Sequence, residues 1–238
     1  MTALNVWRES GLVLQNEACM VINKPSGESS EFPEVQAKGE KFPVPVHRLD
    51  MPVSGCLLLA KTPKAAAFLN AAFAAGSGCI LSSGCSRVKK HYWAIIEKPA
   101  NNALPEEAEL VHWLSFNAAK NKSFAHDKEG QGRKKAVLRY RISGAGTHYL
   151  FLEIDLVTGR HHQIRAQLAA LGLHIKGDLK YGARRSEKSG GIRLHAYSLA
   201  FPNPMRSGEM LEAKALPPVM DALWTAFADT QQAAGLVN

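Results

Sequence analysis

The chain has 238 residues, 46% of them hydrophobic and 21% charged, a profile that excludes disordered, fibrous and small disulfide-stapled classes. Its net charge is +8, which suggests a polyanionic partner, nucleic acid first. No run reaches the ~18 uncharged apolar residues of a membrane helix, and the opening MTALNVWRESGLVL lacks the order of a secretory leader, so a cytoplasmic protein with no membrane partner is expected.

Leu12–Leu14 and Cys19–Ile22 are short apolar runs around Gln15-Asn16-Glu17 and predict a strand pair. Lys24-Pro25-Ser26-Gly27 carries turn chemistry, and the polar stretch Glu28–Pro45, with Pro33, Pro43 and Pro45, reads as a loop. Cys56–Ala60 predicts a buried strand. Pro63–Ala75 is Ala-rich, opens on Pro and precedes Gly76, which predicts a helix. Gly76–Ser86 reads as a loop and the aromatic, β-branched His91–Ile96 as a strand. Ala136–Ile142 and His148–Val157 flank Ser143-Gly144-Ala145-Gly146, a hairpin signature. In the second strand Leu150, Leu152, Ile154 and Leu156 alternate onto one face. Arg160–Leu171 predicts a helix with Gly172 just past its end, packing Ile164, Leu168 and Leu171 inward. Many hairpin-connected strands with few helices predict an α+β fold, a mixed and mainly antiparallel sheet with helices packed on it, forming one domain over residues 1–238.

Several chemistries are missing. GxSxG, GxxxxGK[ST], GxGxxG and HExxH do not occur, so the usual hydrolase, P-loop, dinucleotide and zincin signatures fail. Cys19, Cys56, Cys79 and Cys85 form no CxxC pair, so reduced thiols and no metal site are expected. Three polar clusters remain. In Val46-His47-Arg48-Leu49-Asp50-Met51-Pro52-Val53-Ser54-Gly55 a carboxylate flanked by two potential cations is poised to stay ionised, as part of a site or as a structural loop ion pair. In Lys90-His91-Tyr92-Trp93-Ala94 strand alternation puts Lys90, Tyr92 and Ala94 on one face, where Tyr92 stacks on a base, acts in acid–base chemistry or packs as a cross-strand core aromatic. Thr158 to Arg165 places cations and imidazoles near a helix N-terminus, a pattern suited to phosphate contact. The charge excess is also local. Leu156–Arg206 holds nine Lys and Arg residues against Asp178 and Glu187, either a nucleic-acid surface or a solvated basic face.

Taken together the clusters acquire a meaning. HRLDMPVSG resembles the HRLDxxTSG signature of the RluA-type pseudouridine synthases, and TGRHHQIRAQLAALG resembles their TGRxHQIRxHLxxLG. Leu173 to Gly182 is similar to GxPIxGDxxYG, Leu194-His195-Ala196 with Phe201-Pro202-Asn203-Pro204 to LHAxxLxFxHP, Asn23–Gly27 to NKPxG, and Lys90-x-Tyr92-x-Ala94 to KxYxA. Six blocks fall in family order across residues 12 to 204. Val53 replaces the signature Thr, Asn203 the usual His, and Lys98 a frequent Gly; the connection from Lys24 to His47 is short, and a catalytic domain without an S4-type RNA-binding domain is expected.

The resemblance implies the pseudouridine synthase fold with a central RNA-binding cleft, and isomerisation of uridine to pseudouridine in ribosomal or transfer RNA. It implies Asp50 as nucleophile, Arg165 as the guanidinium that pairs with it, Tyr92 as the aromatic stacked on the target uracil, and Arg48 as the side chain that fills the stack when the nucleotide flips out. His47, Lys90, Arg160, His162, Gln163, Lys176, Lys180, Arg184 and Arg185 are the expected RNA contacts. No cofactor, metal or obligatory protein partner is expected, and the chain is expected to act as a monomer. The alternative is a catalytically silent RNA-binding or ribosome-assembly protein of the same fold.

Overall fold

The computed structural model describes residues 11–31, 43–75, 87–99, 104–187 and 190–233. They group into two compact units, one from residues 1–90 and 196–218 and one from residues 91–195 and 219–238.

The first unit begins with the predicted strand pair. β1 (Leu12–Gln15) and β2 (Cys19–Lys24) are antiparallel, joined by a turn in which Asn16 Oδ1 accepts from the backbone N–H of Ala18 and Cys19 at 2.8 Å each. β2 pairs with β4 (Ser54–Ala60). All seven residues of β4 are buried, as its unbroken apolar run requires. The end of the predicted Glu28–Pro45 loop is instead a short strand, β3 (Val44–Pro45), paired with β4; an edge is where proline is tolerated. Residues 32–42 of that loop, and the predicted loop Gly76–Ser86, lie outside the described residues. α1 (Pro63–Ala74) is capped by Thr62, whose Oγ1 accepts from Ala65 N–H at 3.1 Å, with Pro63 in the first turn. It buries Ala65, Leu69 and Ala72 in a core that includes Cys19, Val21, Cys56, Leu58 and Phe201. β10 (Leu194–Pro202) pairs antiparallel with β11 (Met210–Lys214).

In the second unit the strand order is β5 (Lys89–Glu97), β9 (Tyr149–Leu156), β8 (Lys134–Ala145), β6 (Glu107–Asn117) and β7 (Lys122–His126), all antiparallel. β8 runs through the predicted hairpin turn as far as Ala145, bulging between Ile142 and Gly144. The alternation predicted for β9 is overridden. Leu150 to Ile154 are buried without a break, because α3 (Ala222–Ala233) covers the second face, with Phe227 stacked on Trp93 at 4.8 Å and on Phe151 at 5.2 Å. Sequence periodicity singled out none of β6, β7 and α3. Eleven strands and three α-helices among the described residues bear out the α+β expectation.

The helix predicted over Arg160–Leu171 is shorter, α2 (Gln163–Ala170). Its start is delayed because His162 takes a left-handed conformation (φ 51°) and Gln163 closes the preceding connection. Gln163 Oε1 accepts from Thr158 Oγ1 (2.8 Å) and Arg160 N–H (2.9 Å), while Nε2 donates to the Val137 carbonyl (3.1 Å). The end is the one expected. Gly172 is left-handed (φ 72°) and its N–H donates to the Ala169 carbonyl, while Leu173 N–H reaches the Leu168 carbonyl, both at 3.0 Å, a Schellman closure. Leu171, expected to face inward, is 44% exposed, because the chain leaves the helix there and Leu173 takes the buried place.

Gly55 marks a close approach of β4 to β10. Its φ is +121°, and a Cβ there would sit 2.3 Å from the Ala196 carbonyl oxygen of β10, so no side chain fits. Gly27 has φ +88° but open space around the missing Cβ. Gly55→Ala should therefore cost several kcal/mol or prevent folding, whereas Gly27→Ala should cost only the ~1–2 kcal/mol of the left-handed backbone. Urea unfolding of the two variants checks the ordering.

Candidate active site

Asp50 lies in the first unit, on a loop that a buried cation holds. Lys24 is fully buried at the end of β2, and its Nζ donates to the carbonyls of Pro25 (2.8 Å), Glu28 (2.9 Å) and Met51 (3.3 Å). Burial pulls its pKa down to about 8, against the attraction of Glu28 and Asp50. The same two segments are stitched by Gly27 N–H donating to the Met51 carbonyl (2.8 Å). Ser30 Oγ accepts from Leu49 N–H (3.0 Å) and donates to the Leu49 carbonyl (2.9 Å). Val53 N–H then closes a turn onto the Asp50 carbonyl at 2.9 Å. The backbone on both sides of Asp50 is thereby fixed.

His47, expected at the RNA, is a strut of this loop. Its Nε2 accepts from Leu58 N–H at 3.1 Å and its ring stacks on Phe73 at 5.0 Å. An accepting nitrogen requires the neutral ring, and burial, reinforced by the nearby Lys90 charge, lowers its pKa to about 3. Lys90 itself sits 4.9 Å over the Phe73 ring, and burial lowers its pKa. Arg48 points out: its side chain is 75% exposed, 3.5 Å from Glu31.

Tyr92 and Arg165 belong to the second unit. Tyr92 is buried on β5, paired in register with Ile154. Arg165 is buried on α2 and makes a two-pronged pair with Asp178, Nε to Oδ2 at 2.6 Å and Nη2 to Oδ1 at 2.8 Å, with its guanidinium 4.9 Å from the Tyr181 ring. This fork-to-carboxylate geometry fixes the plane of the guanidinium. Tyr181 Oη accepts from Ser123 N–H (2.9 Å) and lies 3.1 Å from the Ser123 carbonyl and 3.0 Å from His162 Nδ1. Burial, then the charges of Arg165, His161 and Lys180, lower the His162 pKa to about 3. His162 and Gln163, both expected RNA contacts, are thus interior groups that shape the start of α2.

The basic segment divides in two. Its two acidic residues are both buried on cations: Asp178 on Arg165, and Glu187 on Lys176 and on Arg193 Nε (2.8 Å), with Arg193 also gripping Asp221. Lys176 is therefore committed internally. Arg160, Lys180, Arg184 and Arg185 are exposed. Arg160 Nε donates to the Lys135 carbonyl (3.2 Å), Lys180 Nζ to the Asn121 carbonyl (3.2 Å), and Arg184 N–H to Glu97 (3.0 Å). Sequence reasoning missed Lys24, Asp178 and Tyr181 as positioning groups. The signal was present, since Asp178 and Glu187 are the lone acids among nine bases.

Among the described residues no group of three or more His, Cys, Asp or Glu is placed to hold a metal ion, and no helix is long and apolar enough to cross a membrane. Cys19 and Cys56 are free and buried, which raises their thiol pKa values to about 11 and about 12. Cys79 and Cys85 lie outside the described residues.

Residues 18–170 match the model of the RNA pseudouridylate synthase family. An uncharacterized RNA pseudouridine synthase of Zymomonas mobilis is 36% identical over 166 residues, covering 67% of each chain. The dual-specificity RNA pseudouridine synthase RluA of Haemophilus ducreyi is 29% identical over 221 residues, 87% of this chain and 89% of its own. Against the mitochondrial RNA pseudouridine synthase 3 of rice the identity is 29% over 72% of this chain, which spans 41% of that protein. The fold is shared with human RNA pseudouridylate synthase domain containing 4, at a TM-score of 0.67 and 18% identity over 96% of this chain and 95% of that one. The chain belongs to the RNA pseudouridylate synthase family, a family of isomerases.

The Glu187 pairs supply a pH signature. Burial works against its ionised form, but Arg193 and Lys176 hold its pKa down to about 2. A depressed carboxylate contributes stability above its unfolded pKa of ~4.3 and loses it as pH falls toward the folded value. Glu187→Gln should therefore be destabilised by ~3–5 kcal/mol at neutral pH, the cost of leaving buried cations without their partner. The gap to the unaltered protein should narrow between pH ~4.3 and ~2. Denaturant titrations at stepped pH measure it.

Proposed function

We propose that the chain converts a uridine of ribosomal or transfer RNA to pseudouridine, with Asp50 as the nucleophile. The observation that carries the reading is the loop around Asp50, clamped by Lys24, Ser30 and the Asp50–Val53 turn within the segment HRLDMPVSG. A carboxylate held on a rigid, partly open loop is pre-positioned for attack. In the proposed reaction the N1–C1′ bond of the uridine breaks as the Asp50 carboxylate takes up C1′. The uracil turns, C5 bonds to C1′ as the Asp50–C1′ bond breaks and frees the carboxylate, the C5 proton leaves and N1 gains one, so the product is an isomer of the substrate.

Two features support base flipping. The exposed guanidinium of Arg48 is available to fill the vacated stack, which offsets an unstacking cost of a few kcal/mol. Tyr92 is assigned the stacking place on the flipped uracil by the KxYxA match. Arg165, held in plane by Asp178, is assigned the orienting role toward the nucleophile by its own motif. Arg160, Lys180, Arg184 and Arg185 are the exposed cations proposed to meet the RNA backbone, and the names of relatives such as the dual-specificity synthase favour a ribosomal or transfer RNA target.

Asp50→Asn keeps the side-chain shape and removes the nucleophile. It should lose more than 99% of pseudouridine formation, read by carbodiimide-stop sequencing of treated RNA, with RNA affinity changed less than about twofold. Conversion at more than a few per cent of the unaltered rate would refute the assignment. Absence of conversion by the unaltered protein on ribosomal and transfer RNA, with binding intact, would leave the silent RNA-binding reading.

A further inference from the structure

The turn between β6 and β7 carries an aromatic group that the proposed chemistry does not use. Phe116, one residue from the end of β6, is 53% exposed. Its ring stands edge-on to His161 at 4.5 Å. His161 in turn stacks on the interior His162 at 3.8 Å. Ser123, opposite Phe116 in the β6–β7 register, donates its Oγ to the His161 carbonyl at 2.7 Å. The ring is therefore seated on a fixed base despite its exposure. The turn is fixed as well: Asn117 Oδ1 accepts from Lys120 N–H (3.0 Å) and Asn121 adopts φ 43°.

Cations stand beside it. Lys122 Nζ donates to the Lys180 carbonyl (2.6 Å) and lies 4.7 Å over the Tyr181 ring, while Lys180 Nζ donates to the Asn121 carbonyl (3.2 Å). Both lysines bond to neutral carbonyl oxygens, and neither forms an ion pair among the described residues. An apolar protein segment docked on Phe116 would have to desolvate these ammonium groups. A nucleotide would not, because its base offers a π face and its phosphates offer the counter-charge.

We propose that Phe116 is a stacking platform for one unpaired base of the bound RNA, with Lys122 and Lys180 taking the adjoining phosphates. This rests on the reading that the chain acts on RNA, and extends it to an unpaired nucleotide at a surface set by the β6–β7 turn.

The test measures binding of a fluorescein-labelled oligouridylate and a short RNA duplex to the full chain and its variants. Phe116→Ala should weaken oligouridylate binding roughly 5- to 150-fold, the range for one lost base stack, and leave duplex binding within twofold. Phe116→Trp should restore affinity, and Phe116→Leu should not, because bulk without a π face does not stack. Equal oligouridylate binding by Phe116→Ala, or full rescue by Phe116→Leu, overturns the platform while the RNA reading stands. Failure of the unaltered chain to bind either RNA overturns both.

Discussion

A single buried ammonium organises the candidate active site. The three hydrogen bonds of Lys24 go to the carbonyls of Pro25, Glu28 and Met51, two from the turn after β2 and one from the residue that follows Asp50. A buried charge is tolerated only where such acceptors converge. The requirement runs both ways: the carbonyls need the donor, and the donor needs both segments in place. Gly55 adds a steric condition a few residues on, because β4 can run beside Ala196 of β10 only where no Cβ intervenes.

The positive charge of the chain does two different jobs. Arg165, Lys176 and Arg193 are paired with Asp178, Glu187 and Asp221 and act as fasteners. These pairs consume both acids of the Leu156–Arg206 segment; of its exposed cations Arg184 lies 3.8 Å from Glu97, and Arg160, Lys180 and Arg185 contribute a positive field, the property that steers polyanions toward a surface. Counting charges along the sequence finds the field but not the division, which depends on which side chains face inward.

The elements with one dominant signal were legible in the sequence: the apolar run of β4, the Thr62–Pro63 start of α1, the Gly172 end of α2. Those set by tertiary contact were not. The start of α2 depends on Gln163 bonding back to Thr158, Arg160 and Val137, and nothing local announces that. Burial of both faces of β9 depends on α3, whose residues lie far along the chain. The motif blocks led to Asp50, Tyr92 and Arg165 as candidates, but they did not distinguish contact from support. His47 reads as one more cation near Asp50, and in the structure it is a neutral acceptor for Leu58 N–H, stacked on Phe73.

That the clamp on the Asp50 loop sets the rate, beyond holding the fold, is tested most directly by single-turnover conversion of RNA by folded Lys24→Met at saturating RNA. The variant keeps the side-chain bulk and removes the donor to the Met51 carbonyl. Misplacement of a reacting group by about 1 Å costs on the order of 10²-fold in rate, so with Asp50 as the proposed nucleophile conversion should slow by about that factor with RNA affinity unchanged. An unaltered single-turnover rate would contradict the account.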